Sequence, residues 1–213
     1  MGILSSSTNE VPQKYLDNRD NIKNGDLILY TGTSMLAKAI MYFDRAFFNH
    51  IGVVWKVEDP ESKEYRILTL DMWTKGLVVV PLSERMSGYK DFCILRPKVN
   101  QEVIESAIFE GLRLWEGKVG YDYSLLLRVA AIKKFGIDIT SLGKKNRFIC
   151  SEFAQAYCNK LVPTYKNINL ITPEDFRRYI DDNFELILND APAPNMEYVG
   201  KKILSIGSDN YSI

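Results

Sequence analysis

The segment Arg147-Phe148-Ile149-Cys150-Ser151-Glu152-Phe153-Ala154-Gln155 places a cysteine where a short apolar lead-in turns into a helix. Phe153, Ala154, Tyr157 and Leu161 recur from it at helical spacing, which puts Cys150 on the buried face of the first turn. At such a position the unpaired backbone N–H groups and the positive end of the helix dipole favour a thiolate, the nucleophilic form of cysteine. The plain alternative is a small buried hydrophobe, the commonest use of a free cysteine. Glu152 also has two readings: a charge that faces solvent or caps the first turn, or a grip on a cationic substrate amine.

A cysteine nucleophile needs a general base, and the chain has one histidine to offer. It lies in Phe47-Phe48-Asn49-His50-Ile51-Gly52-Val53-Val54-Trp55, an alternating run in which His50, Gly52 and Val54 share one strand face. Gly52 leaves room beside His50 for another backbone or a substrate, unless it marks a simple bulge. After a turn rich in Glu58, Asp59, Pro60, Glu61 and Ser62 comes Glu64-Tyr65-Arg66-Ile67-Leu68-Thr69-Leu70-Asp71, a second strand antiparallel to the first. If Val57 pairs with Glu64, Asp71 stands directly opposite His50, and its carboxylate can fix the imidazole's tautomer and direction. A slip of one residue would turn Asp71 to the other face. Taken singly, His50 also reads as a hydrogen-bonded strand-end residue and Asp71 as a turn residue ahead of Met72 and Trp73.

Gly25-Asp26-Leu27-Ile28-Leu29, Asn49-His50-Ile51-Gly52-Val53-Val54, Asp71 and Cys150-Ser151-Glu152-Phe153 together resemble the circularly permuted, YiiX/YaeF-like branch of the NlpC-type papain-like superfamily. There the histidine strand precedes the cysteine helix, as it does here. Weaker matching segments are Gly76-Leu77-Val78-Val79, Ile94-Leu95-Arg96, Gly120-Tyr121-Asp122 and Thr172-Pro173-Glu174-Asp175. The resemblance implies an α+β papain-like fold with catalytic Cys150, His50 and Asp71, and cleavage or transfer at an amide, thioester or ester bond. Family members commonly carry glutamate at the third position, so Asp71 is one methylene short. Gly52, Tyr121 and Glu152 are the candidates for substrate contact. The expected substrate is a peptide, an amino-acid amide or a cell-wall-type amide. The alternatives are an acyl lipid, handled by a hydrolase or acyltransferase, and a non-catalytic binding or virion structural module that keeps the fold.

The 213 residues suit one domain with a real core: a polar arm over 1–22, a catalytic domain over 23–190 and a proline-punctuated extension over 191–213. Lysine plus arginine equal aspartate plus glutamate at 27 each, so no net field recruits nucleic acid. Cys93, Cys150 and Cys158 make an odd count, unlike a disulfide framework, which suggests a reducing, cytoplasmic setting. No apolar run reaches the roughly 20 residues that span a bilayer, and the start lacks a secretory apolar region, although Met1-Gly2 with Ser6 fits a myristoylation pattern. One histidine and unpaired cysteines make the usual zinc ligand sets hard to assemble, and no metal or other cofactor is expected.

The elements needed to position these groups are legible in outline. Five strands near 27–30, 50–57, 64–71, 77–82 and 91–97 form an antiparallel sheet of about five, with 183–188 a candidate last strand. Helical periodicity marks 35–43, with Ser34 as its cap, and 103–115, 124–134 and the cysteine helix. Thr172-Pro173-Glu174-Asp175 is a helix start. Gly111 to Lys118 is one residue too long for a phosphate loop and is set aside.

Overall fold

The computed structural model describes residues 11–32, 37, 38, 41, 42, 45–89, 91–117, 120–124, 128, 131, 137, 147–162, 172–178 and 182–191. The expected cap at Ser34 and the extension beyond residue 191 lie outside them, as do parts of the helices expected over 35–43 and 124–134. Residues 37, 38, 41 and 42 of the first are helical, as are 124, 128 and 131 of the second.

Eight strands are present among the described residues: β1 Leu27–Tyr30, β2 His50–Glu58, β3 Tyr65–Trp73, β4 Gly76–Pro81, β5 Phe92–Pro97, β6 Gly120–Tyr121, β7 Arg147–Phe148 and β8 Phe184–Asn189. The helices whose bounds lie among the described residues are α1 Gln13–Asn18, α2 Leu82–Gly88, α3 Gln101–Glu116, α4 Cys150–Leu161 and α5 Pro173–Arg178. The class is α+β, with an antiparallel sheet in the order β4-β3-β2-β1-β5-β8. It has six strands because the candidate last strand, β8, joins β5 at the edge. A separate parallel pair, β6 with β7, sets Tyr121 beside Phe148, two residues ahead of Cys150.

The alternation in β1 buries both faces of the sheet. Leu27 and Leu29 join Ile51, Val53, Leu70 and Met72 under α3 and α4, which contribute Ile104, Ile108, Phe153 and Ala154. Ile28 and Tyr30 join Val54, Ile67, Phe92 and Ile94 on the other face, covered by Tyr15 of α1, Ile22, and Leu82 and Met86 of α2. Residues 1–22 are therefore not all a loose arm: α1 docks, and Ile22 is wholly buried. The apolar residues in that polar stretch are too few to show a periodicity, but they fill a gap left open by the sheet.

The β2–β3 register differs from expectation by two residues. Glu58 pairs with Tyr65 and Val57 with Arg66, which places Asp71 opposite Gly52 rather than His50. The turn explains the difference. Asp59 Oδ1 accepts the N–H groups of Glu61 at 2.9 Å and Ser62 at 3.0 Å, so the loop starts at Asp59, β2 runs one residue further to Glu58 and β3 begins one residue later, at Tyr65.

Candidate active site

Asp71 and His50 share a sheet face in spite of the altered register, because a slip of two residues preserves the alternation. Asp71 must then lean along the sheet to reach the ring. Gly52 makes that possible: a Cβ there would collide with Asp71 Oδ1 and stand 2.6 Å from Thr69 Oγ1. The space that the glycine opens, read from sequence as room for a substrate or a backbone, is occupied by the acid.

His50 Nε2 lies 3.3 Å from Asp71 Oδ1, with His50 almost buried and Asp71 completely so. The alignment falls short of a straight hydrogen bond, so the contact is a charge pairing in this state. The ring is held between Tyr30, whose centroid is 4.8 Å away, and Trp73, edge-on at 4.9 Å. Cys150, at the first position of α4 and also buried, lies near enough to His50 for its charge to act on the ring. α4 packs on the opposite face from Asp71, and the two groups meet at the ring because His50 is the first residue of β2. Cysteine, histidine and aspartate thus converge from α4, β2 and β3.

Burial by itself would strip the proton from His50. The charge of Cys150 and the contacts with Asp71 outweigh it and raise the imidazole to about 9. Asp71 is likewise opposed by burial, yet His50, Arg85 and Tyr30 hold its carboxyl below the ordinary range. A raised histidine contributes stability that is complete below its unfolded value near 6.5 and vanishes as pH rises through about 9. The depressed Asp71 contributes above its unfolded value of 3.8 and loses that contribution on acidification. The urea midpoint is therefore expected to fall between pH 7 and 10 in the native protein, and to change much less over that interval in His50→Ala. Equal slopes for the two would show that His50 is not the group responsible.

Of the remaining sequence candidates, Tyr121 is buried beside the cysteine helix, and burial together with the charge of Cys150 pushes its phenol up. Glu152 accepts the Ile149 N–H at 3.2 Å and so caps its own helix. Ile149 offers no side-chain acceptor, so the reciprocal half of a capping box is missing.

The sequence reading missed four residues around the acid. Arg85 Nε donates to Asp71 Oδ2 at 2.7 Å, and the Tyr30 hydroxyl donates to Oδ1. Arg85 lies over the Trp73 ring at 5.1 Å, and Tyr89 stacks on Tyr30 at 4.8 Å. The proline before Leu82-Ser83-Glu84-Arg85 was the available signal for α2, since a proline commonly sits at the start of a helix.

Glu174 also proves more than a helix-start residue. Its Oε2 accepts the N–H groups of Phe47 at 2.9 Å and Phe48 at 3.1 Å, while Oε1 meets Arg177 Nε at 2.7 Å. It thereby ties α5 to the chain just ahead of His50. Both residues are buried, so Glu174→Ala removes a buried charge partner of Arg177 and the acceptor of two N–H groups and is expected to cost about 3–5 kcal/mol in urea denaturation, whereas a cost below about 1 kcal/mol would show that the pair is solvated.

Among the described residues, no group of three or more histidine, cysteine, aspartate or glutamate side chains is arranged to hold a metal ion. No helix among them is long and apolar enough to cross a membrane. No family model and no curated protein matches the chain by sequence. In structure the chain is similar to metalloprotein yiiX from Escherichia coli O157:H7, at 15% identity over 80% of this chain and 98% of that chain, with a TM-score of 0.47.

Proposed function

We propose that this protein is a thiol hydrolase that opens an amide bond, of peptide or cell-wall type, through a thioacyl intermediate. The observation that carries the reading is the position of the chain's single imidazole, buried between Cys150 and Asp71 and raised by both. With Nε2 turned to Asp71, Nδ1 is the nitrogen left for the thiol. His50 takes the proton of Cys150, and the sulfur attacks the carbonyl carbon to give a tetrahedral oxyanion. His50 then gives that proton to the departing amine as the C–N bond breaks. Water, deprotonated by His50, attacks the thioester and releases the acid, restoring the thiol. The backbone N–H of Cys150, at the start of α4, suits stabilisation of the oxyanion.

The test uses an activated ester, p-nitrophenyl acetate, because it asks only for an acyl acceptor. Intact mass followed by peptide mapping is expected to find a transient acetyl group on Cys150 and none on buried Cys93 or Cys158. Acetylation spread over lysines, or equally fast release of nitrophenol by Cys150→Ser, would remove the basis for the assignment. Peptidoglycan fragments and phospholipid vesicles, offered next as substrates, separate an amidase from a lipid acyl hydrolase.

A further inference from the structure

Asp71 is held by more than a triad requires. Its register partner is Gly52, so the carboxylate reaches His50 only by leaning along the sheet, and rotation about its side-chain bonds would take it off the ring. The two oxygens are divided between different partners. Oδ2 takes Arg85 Nε at 2.7 Å, and Oδ1 faces His50 Nε2 at 3.3 Å while accepting from Tyr30. Thr69 Oγ1 stands 3.5 Å from the same oxygen. Arg85 is itself fixed across Trp73, and Tyr30 against Tyr89.

A carboxylate with no exposure keeps its charge only if cations and donors replace water. Arginine suits this role because it does not lose its proton under protein conditions. The clamp also selects which oxygen is left for the ring: with Oδ2 engaged from α2, Oδ1 remains for His50. The hydrogen bond made by one imidazole nitrogen decides the protonation of the other.

We propose that Arg85, together with Tyr30, is a positioning residue for His50, holding Asp71 Oδ1 on Nε2 and so fixing neutral His50 as the Nε2–H tautomer with Nδ1 toward Cys150. This rests on the reading of Cys150 and His50 as nucleophile and base, and it brings into the site a helix that carries none of the three triad residues. The ionisable groups around the pair are Tyr30 from β1, Asp71 from β3, Arg85 from α2, Tyr89 just beyond it and Cys150 from α4. Burial keeps the two phenols protonated through the working range.

A single histidine makes the test direct, since ¹⁵N-histidine labelling gives one imidazole to observe. Above the ring's titration the native protein is expected to show the Nε2–H form in an excess of about tenfold or more, set by its acceptor. Arg85→Gln is expected to reduce that excess to less than about threefold, and Arg85→Lys, which keeps a cation on Oδ2, to restore most of it. An unchanged tautomer ratio in a folded Arg85→Gln protein overturns the proposal, whatever its melting temperature does. Should that variant not fold, Tyr30→Phe removes only the oxygen on Oδ1 and carries the same test: a mixed tautomer supports the clamp and an unchanged one overturns it. Alkylation of Cys150 in the same samples separates the two ideas. A native thiol indifferent to His50→Ala defeats the hydrolase reading, while the tautomer ratio still decides the role of Arg85.

Discussion

His50→Ala is expected to slow alkylation of Cys150 by iodoacetamide at pH 6 by about 100-fold or more, the usual scale on which a positioned base assists. The native ring carries its proton up to about pH 9, so under the proposed mechanism a cation stands beside the sulfur at pH 6. With alanine in place that cation is gone, and the two proteins should converge at alkaline pH, where the native imidazolium has lost its proton. Asp71→Asn is expected to fall between the two, because the asparagine can still orient the ring but adds no charge. Cys93 serves as an internal control, since burial pushes its thiol up to about 12 and leaves it inert over the measured range. Superimposable profiles for the native protein and His50→Ala would mean that Cys150 is only a buried thiol.

Gly52→Ala is expected to do damage out of proportion to one methyl group. The added carbon would meet Asp71 Oδ1 and lie 2.6 Å from Thr69 Oγ1 and 3.2 Å from the Leu70 carbonyl, so the backbone gives it no escape. Overpacking of this kind costs about 1–3 kcal/mol, and displacement of a buried carboxylate from its partners adds to it. The same shift removes Asp71 from His50, so Cys150 alkylation at pH 6 should drop about tenfold or more in whatever fraction remains folded. Gly88→Ala is the matched control. Among the described residues nothing lies within 4 Å of its added carbon, and alanine is the better helix former at the end of α2. Urea midpoints and alkylation rates that fail to distinguish the two substitutions would show that the cleft above Gly52 is not what aims the acid.

The candidate residues were legible in the sequence because they depend on residue type and local period. A cysteine at the head of an amphipathic helix, a lone histidine in an alternating strand and a glycine two residues along from it were each visible, and so was the shared face of His50 and Asp71. The register was not. Alternation fixes which face a residue takes, and every even displacement leaves it unchanged, so only the Asp59 turn decided that Asp71 faces Gly52. The space beside Gly52, read as room for another backbone or a substrate, holds the Asp71 carboxylate. Arg85 and Tyr30 were out of reach for another reason: their importance comes from contacts 14 and 41 residues away in sequence, which no local pattern encodes.

Readable from residue types and their period alone were an α+β class, the main strands in chain order and a helix beginning at Cys150. Packing across the sheet brought Cys150 and Asp71 to the His50 ring, drew α1 and Ile22 into the core, and set Arg85 of α2 on the acid. Local propensity and periodicity follow from each residue and its neighbours along the chain. Convergence depends on how strands are displaced past one another and on which helix covers which face, and these are settled by the packing of the whole sheet.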